Sequence, residues 1–190
     1  MRLKRTVEPT TEPVSLAEAK AQCRVDSDDE NTFITGLIQA AREYVEDTSH
    51  RALLTQTWRL SLDAWPACDE IELPRPPLQS VTSLVYYDSA GTLYTLDSSK
   101  YGVDTDSEPG RVVLNWGESW PSLTLRSFNP VQVTFKAGYG DDADDVPLHL
   151  RQAILLIIGH WFENRELTIS GTIIKEIPLA VDSLIYLNRA

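Results

Sequence analysis

Acidic side chains are the most prominent candidates for chemistry in this sequence. Four of the five residues from Asp141 to Asp145 are carboxylates, and hard cations such as Ca²⁺ prefer several carboxylate oxygens as ligands. The segment does not have the spacing of an EF-hand, because no Glu stands at the twelfth loop position and the glycines precede the acids. The residues favour a solvated loop before a helix, where the helix dipole stabilises negative charge. We therefore predict no metal site there.

Two further motifs have parts of a binding site. Gly138 and Gly140 precede a predicted helix, as in a phosphate-binding loop, but the acids that follow would repel a phosphate. His160 and Glu163 lie one helical turn apart and could share one face of the helix. A metal site needs more ligands than these two residues. The sequence favours a flexible turn at the glycines and a hydrogen-bonded His160–Glu163 pair at a subunit contact.

Enzyme chemistry is the second hypothesis for the chain. Asp104, Asp106 and Glu108 could act as general acid and base on a sugar or together with a metal, although a surface turn explains them as well. Residues 117–121 lack the second Gly of a nucleophile elbow. Nowhere does the sequence assemble a nucleophile, a base and an orienting group. We therefore predict no catalytic residue, and a structural protein is the first hypothesis.

The composition limits the partners of the chain. The formal net charge is −11 and the pI is about 4.6, which argues against a protein that binds nucleic acid by neutralising phosphates. An acidic wall would still let DNA pass without holding it. Cys23 and Cys68 are too few for a disulfide framework. We expect no cofactor, signal peptide or membrane span, and synthesis in a cytosol.

Helices are predicted near both ends of the chain and strands in the middle. Ser15 with Glu18, and Ser27 with Glu30, have the form of capping boxes. They predict helices over about 16–24 and 28–48, the second with an apolar stripe of period 3.6. Period-2 alternation and turn residues predict about six short strands. The fold class is therefore α+β, with an N-terminal arm (1–14), a first helical part (15–52), a β-rich module (53–137) and a second helical part (138–190).

The most apolar element is a helix predicted over 147–165. Leu150, Ile154, Ile157 and Trp161 form one face, which we expect to pack on the helix over 28–48. Further apolar side chains widen the surface beyond what a chain of this size can cover, so a second face should contact something outside the subunit. A final helix is predicted after Pro178. The candidate subunit-interface residues are Leu155, His160, Phe162 and Glu163.

Several ordered segments, which together cover nearly the whole chain from Glu12 onwards, carry a resemblance to one known protein family. They are EPVSLAEAKAQCRVD (12–26), RALLTQTW (51–58), LPRPPLQSV (73–81), SEPGRV (107–112), AGYGD (137–141), LRQAILLIIGHWFENRE (150–166) and PLAVDSL (178–184). Through these segments the chain is similar to the head–tail connector, or adaptor, proteins of tailed bacteriophages and of phage-like gene transfer particles.

The resemblance implies a structural role in the neck of a virion. It implies a helical core of about four helices, with the β-rich module inserted between the second and third. It also implies a ring of twelve copies beneath the portal, joined on its other face to a stopper (head-closure) or tail protein, with DNA passing through the lumen without specific binding. We expect a subunit truncated after Ile177 to fold but not to join DNA-filled heads. The candidate portal-binding residues are Leu184, Ile185, Tyr186, Leu187, Asn188 and Arg189.

Overall fold

A computed structural model describes residues 1–165 and 179–186 of the chain. These residues form four helices and two antiparallel sheets, which confirms the α+β class. The helices are α1 (Leu16–Cys23), α2 (Asn31–Ser49), α3 (Leu148–Glu163) and α4 (Leu179–Tyr186). The strands are β1 (Arg2–Val7), β2 (Gln56–Leu62), β3 (Glu70–Leu73), β4 (Leu78–Tyr87), β5 (Leu93–Thr95), β6 (Tyr101–Asp104), β7 (Gly110–Leu114) and β8 (Val131–Ala137).

The chain divides into two compact units. The β unit comprises Met1–Pro9 and Thr55–Tyr139, and the helical unit comprises Thr10–Leu54 and Gly140–Ala190. Part of the segment expected to be an N-terminal arm is strand β1, which pairs antiparallel with β2. Strand β1 lies at a sheet edge and most of its side chains are exposed. It therefore lacks the alternation of apolar and polar residues by which a half-buried strand is recognised.

The larger sheet of the β unit has the strand order β1-β2-β8-β4-β5. One of its faces is apolar: Trp58, Leu60, Leu84, Val133 and Phe135 are all buried. The smaller sheet has the order β3-β7-β6. Two hairpins are present, since β4 pairs with β5 and β6 pairs with β7.

The helical unit is built around α3, which packs against α1, α2 and α4. Its residues Leu150, Ile154 and Ile157 are fully buried, as are Ile34 and Ala41 of α2. The helices 28–48 and 147–165 predicted from the sequence therefore pack together as expected. Within the described ranges, no helix combines the length and the apolarity needed to cross a membrane.

Only one of the two predicted capping boxes forms. Ser15 accepts a hydrogen bond from the Glu18 amide at 3.2 Å, and the Glu18 carboxylate accepts one from the Ser15 amide at 2.8 Å. The prediction for Ser27 and Glu30 was wrong, because α2 begins only at Asn31 and Glu30 makes no capping hydrogen bond with its side chain. The Glu30 carboxylate instead binds Arg165 at 2.8 Å.

No side chain caps the start of α3. The helix begins at Leu148, after Pro147, without a capping hydrogen bond from a side chain. The Asp145 carboxylate accepts a hydrogen bond from the Asp142 amide at 3.0 Å and so closes the turn that precedes the helix.

Candidate interaction surfaces

Asp104, the central residue of the enzyme hypothesis, is committed to a turn. Its carboxylate accepts hydrogen bonds from the Ser107 hydroxyl at 2.6 Å and from Arg111 Nε at 2.9 Å. The backbone amides of Asp106 and Ser107 donate to it as well, each at 3.1 Å. These contacts close the connection between β6 and β7. Because four donors already surround it, this carboxylate is held as a structural anion.

The same contacts predict a pH dependence. Hydrogen bonds from the Ser107 side chain, Arg111 and backbone amides lower the pKa of Asp104 from 3.8 to about 2. The folded state therefore favours the ionised carboxylate, and the stabilisation is complete above the unfolded pKa and lost as the pH falls through about 2. We expect Asp104→Asn to lower the urea midpoint at pH 7, with a smaller difference from the wild type at pH 3.

Urea denaturation of both proteins at the two pH values measures this difference. Asp106→Asn is a matched control, because the structure gives the Asp106 side chain no such set of donors. A difference between Asp104→Asn and the wild type that stays constant from pH 7 to pH 3 would contradict the role assigned to the ionised carboxylate.

The candidate metal ligands are not brought together. The described part of the chain contains no group of three or more His, Cys, Asp and Glu residues that could hold a metal ion. His160 does not pair with Glu163 as expected; its Nδ1 lies 3.4 Å from the Asn164 side-chain nitrogen, and Glu163 is exposed. Burial, together with the charges of Glu163 and Glu30, raises the pKa of the Cys23 thiol. The thiol is therefore less easily ionised than an exposed one.

The C-terminal end of α3 carries an aromatic cluster, formed by Phe33, Phe162, Arg165 and Glu30. The two phenylalanine rings lie 6.2 Å apart. The Arg165 guanidinium lies 4.7 Å from the centre of the Phe33 ring and 4.4 Å from that of Phe162. It also pairs with Glu30. The ring of Phe162, a candidate subunit-interface residue, thus already packs on α2 of its own subunit.

Parts of the same helix end remain accessible. Trp161 is half-buried and packs edge-on against Tyr44, with ring centroids 6.0 Å apart. Leu155 and His160 are also half-buried, and Phe33 keeps 41% of its surface exposed. These residues are where the helical unit could gain apolar burial by contacting another protein.

The terminal helix α4 has a docked side and an exposed side. Val181 and Ile185 are buried at 0% and 1% exposure, and the helix packs against α3 and α2. Tyr186, in contrast, is 74% exposed. Among the candidate portal-binding residues, Ile185 therefore belongs to the core of its own unit and Leu184 is half-buried. Leu187, Asn188 and Arg189 lie outside the described residues.

The β unit exposes aromatic residues of its own. Trp65 and Trp120 stack with centroids 4.8 Å apart, and Trp58 is buried in the core. Trp116, in contrast, is fully exposed at 104%. Phe128, in the same loop between β7 and β8, is 67% exposed. No sequence pattern distinguished Trp116 from Trp120, because the difference depends on how the loop between β7 and β8 folds.

Comparison with known proteins identifies the family. The sequence model of the phage gp6-like head–tail connector proteins matches residues 13–103 and 123–189. The chain belongs to this family of connectors. The resemblance seen in the sequence is thereby confirmed. No curated relative matches the chain significantly.

Chains in solved structures of gene transfer agent (GTA) particles share the fold. A chain in the neck of an empty GTA particle, computed with C6 symmetry, superimposes with a TM-score of 0.83 at 25% identity. A chain in the neck of the native particle, computed with C12 symmetry, gives 0.77 at 25% identity. A third, in the virion of the native particle, gives 0.81 at 24% identity. Each match covers 100% of this chain and 96% of the other.

Proposed function

We propose that this connector is an adaptor subunit that forms a ring in the neck of a phage-like particle and joins the head to the stopper or tail. The observation that carries the proposal is the match over the full length of the chain to a neck protein at a TM-score of 0.83. It is supported by the family match at both ends of the chain. The role is structural, and the enzyme hypothesis gains no support because Asp104 is enclosed by its own turn.

A ring of identical subunits needs two different faces on each copy. The rotational symmetry of the GTA neck structures supports a ring of twelve copies for this protein. We assign one contact between copies to the accessible end of α3, at Leu155, His160, Phe162 and Glu163. Phe162 contributes there only with the part of its ring that Phe33 and Arg165 leave open.

The portal is the partner that we assign to the C-terminal end of the chain. The docked side of α4 fixes the helix to its own unit, which leaves Tyr186 as the exposed apolar side chain at its end. We propose that Tyr186, Leu184 and residues 187–189 contact the portal. The opposite side of the ring would receive the stopper or tail protein, and DNA would pass through the lumen without specific binding.

The β unit is an elaboration of the connector core in this proposal. Strands β2 to β8 lie between α2 and α3 in the chain, which is the position of an inserted module. Strand β1 completes its larger sheet from the N-terminus. The boundaries of the insertion are then close to residues 53 and 137.

Deletion of the gene in cells that produce the particle tests the function. We expect DNA-filled heads and separate tails, with few joined particles in electron micrographs. Mass spectrometry of purified wild-type particles should detect the protein in a ratio to the portal close to one. Joined, infectious or DNA-transferring particles at wild-type yield after the deletion would contradict the proposal.

A further inference from the structure

The outer face of the larger sheet is basic, although the net charge of the chain is −11. Residues that pair in register on neighbouring strands share one face of a sheet. We name this surface the basic sheet face and define it by Arg2, Lys4, Arg59 and Lys136. Its cross-strand rows are Arg2–Ser61–Gln132–Val85–Thr95, Lys4–Arg59–Thr134–Ser83 and Val7–Thr57–Lys136–Ser80. The rows contain four cations and no carboxylate.

Among the residues that the structure describes, no carboxylate neutralises the positive charges on this face. Lys4 stands directly opposite Arg59, and like charges in that arrangement destabilise a sheet. None of the four cations makes an ion pair with an acid in the described ranges, and Arg2, Lys4 and Lys136 are exposed. Asp63, just after β2, is engaged by the N-terminal amine at 4.0 Å and the Asn129 amide at 3.2 Å.

The negative charge of the chain is concentrated in its other unit. The helical unit contains 17 acidic and 8 basic residues, a net charge of −9, whereas the β unit contains 11 and 9, a net charge of −2. Asp141 and Asp142 are exposed in the run of acids before α3, and Asp26 and Asp29 are exposed between α1 and α2. A second copy of the chain therefore offers an acidic surface that complements the basic sheet face.

We infer that the basic sheet face docks against the acidic helical unit of a neighbouring copy, and that this contact sets the direction of the ring. The inference rests on the proposed ring. A head-to-tail interface joins two different surfaces of identical subunits, and opposite charges on them both attract and orient the copies. Duplex DNA is the less favoured partner, because only four cations face it on a chain that carries eleven net negative charges.

A single charge reversal is expected to leave the unfolding temperature of the subunit unchanged or higher, and to lower the amount of adaptor in the ring. Lys4→Glu would place a carboxylate opposite Arg59, so the isolated subunit should unfold at an unchanged or higher temperature. In particles, the same change should reduce the amount of adaptor per portal more than fivefold. If Lys4 served only to stabilise the subunit, Lys4→Glu would lower both the unfolding temperature and the amount of adaptor per portal. Lys100→Glu is a matched control of equal charge change away from this face, expected to leave occupancy within twofold of the wild type.

Charge reversal on the other side of the contact should restore assembly. Lys4→Glu with Arg59→Glu is combined with Asp141→Lys and Asp142→Lys in one chain, and in a second chain with Asp26→Lys and Asp29→Lys. Recovery of at least half of the wild-type occupancy in either chain supports the contact. Failure of both chains to recover, while the wild type is present in necks, overturns the inference but leaves the proposed function intact. Absence of the wild type from necks overturns the proposed function.

Binding to DNA is measured in parallel. The purified wild type and Lys4→Glu are titrated with a fluorescent duplex of 30 base pairs at low salt. The inference expects no binding by either protein at micromolar concentration. Tight binding by the wild type that Lys4→Glu abolishes, with unchanged ring occupancy, would overturn it in favour of DNA.

Discussion

Replacing Arg42 by Ala is expected to lower the free energy of unfolding by about 3–5 kcal/mol, because it removes a hydrogen-bonded cation from the buried carboxylate of Glu46. Arg42 is 1% exposed and Glu46 is 2% exposed. The guanidinium donates to Glu12 at 2.8 Å and to Glu46 at 3.0 Å. The second oxygen of Glu46 accepts the Leu53 amide at 3.0 Å. One network of hydrogen bonds and ion pairs thus joins α2 to Glu12, which precedes the helix in the chain, and to Leu53, which follows it.

The charge state of Arg42 supports this expectation. Burial lowers the pKa of the guanidinium, but the hydrogen bond with Glu12 and the charge of Glu46 act in the opposite direction, and the net effect raises the pKa. The group therefore remains a cation in the folded protein. Removing it takes a positive charge away from the buried Glu46 carboxylate, whose ionised form is then less stabilised.

Urea denaturation of the purified subunit measures the effect. Lys100→Ala is the control, since the side chains of the Lys100–Glu118 ion pair are 46% and 37% exposed, and exposed pairs contribute about 0–1 kcal/mol. Glu46→Gln should cost less than Glu46→Ala, because the amide oxygen of Gln can still accept the Leu53 amide. A loss below about 1 kcal/mol for Arg42→Ala would contradict the network as a determinant of stability.

The sequence predicts the apolar face of α2 but not the buried ion network beside it. The apolar spacing of Ile34, Ile38 and Ala41 marks the buried face of α2, and the structure confirms it. Arg42 borders the same face, but a charged residue gives no apolar signal by which its burial could be predicted. The spacing of Arg42 and Glu46, four residues apart beside that face, was the available signal. Arg42 and Glu46 are buried together with the partners Glu12 and Leu53. Glu12 lies 30 positions before Arg42, and Leu53 lies outside the helices and strands, so helical spacing could not indicate either partner.

A similar limit applies to the end of α3. The sequence contained enough apolar residues to show that this helix is covered on more than one side. It could not show that Phe162 meets Phe33, because the two residues lie far apart in the sequence, as do Arg165 and Glu30 beside them, which are separated by 135 positions. The sequence assigned Glu30 to a capping box with Ser27. In the structure its side chain makes the ion pair on the aromatic cluster and no capping hydrogen bond.

Tyr186→Ala is expected to weaken attachment of the adaptor to DNA-filled heads by about 10- to 100-fold while leaving the subunit folded. Tyr186 is 74% exposed, so its removal leaves no cavity in the subunit. As an exposed aromatic residue at the end of α4, it has the character of an interface anchor. The amount of adaptor on heads, measured by quantitative mass spectrometry against the portal, gives the effect.

Ile185→Ala is the matched comparison at the neighbouring position. Ile185 is 1% exposed, so truncating it should lower the free energy of unfolding by about 2–5 kcal/mol. For the same reason, truncation after Ile177 is a poorer test than the sequence suggested. It removes Val181 and Ile185 from the core of the helical unit, and loss of attachment would then be confounded with loss of fold.

The two substitutions therefore separate docking to the portal from docking of α4 on its own unit. Tyr186→Ala should change attachment and leave the thermal unfolding temperature within about 2 °C of the wild type. Ile185→Ala should lower that temperature, and its attachment should recover when the assay is cooled. If Tyr186→Ala heads carry the wild-type amount of adaptor, Tyr186 is not the anchor. Portal contact would then lie with Leu184 or the residues after Tyr186, because no other apolar side chain described on α4 is exposed.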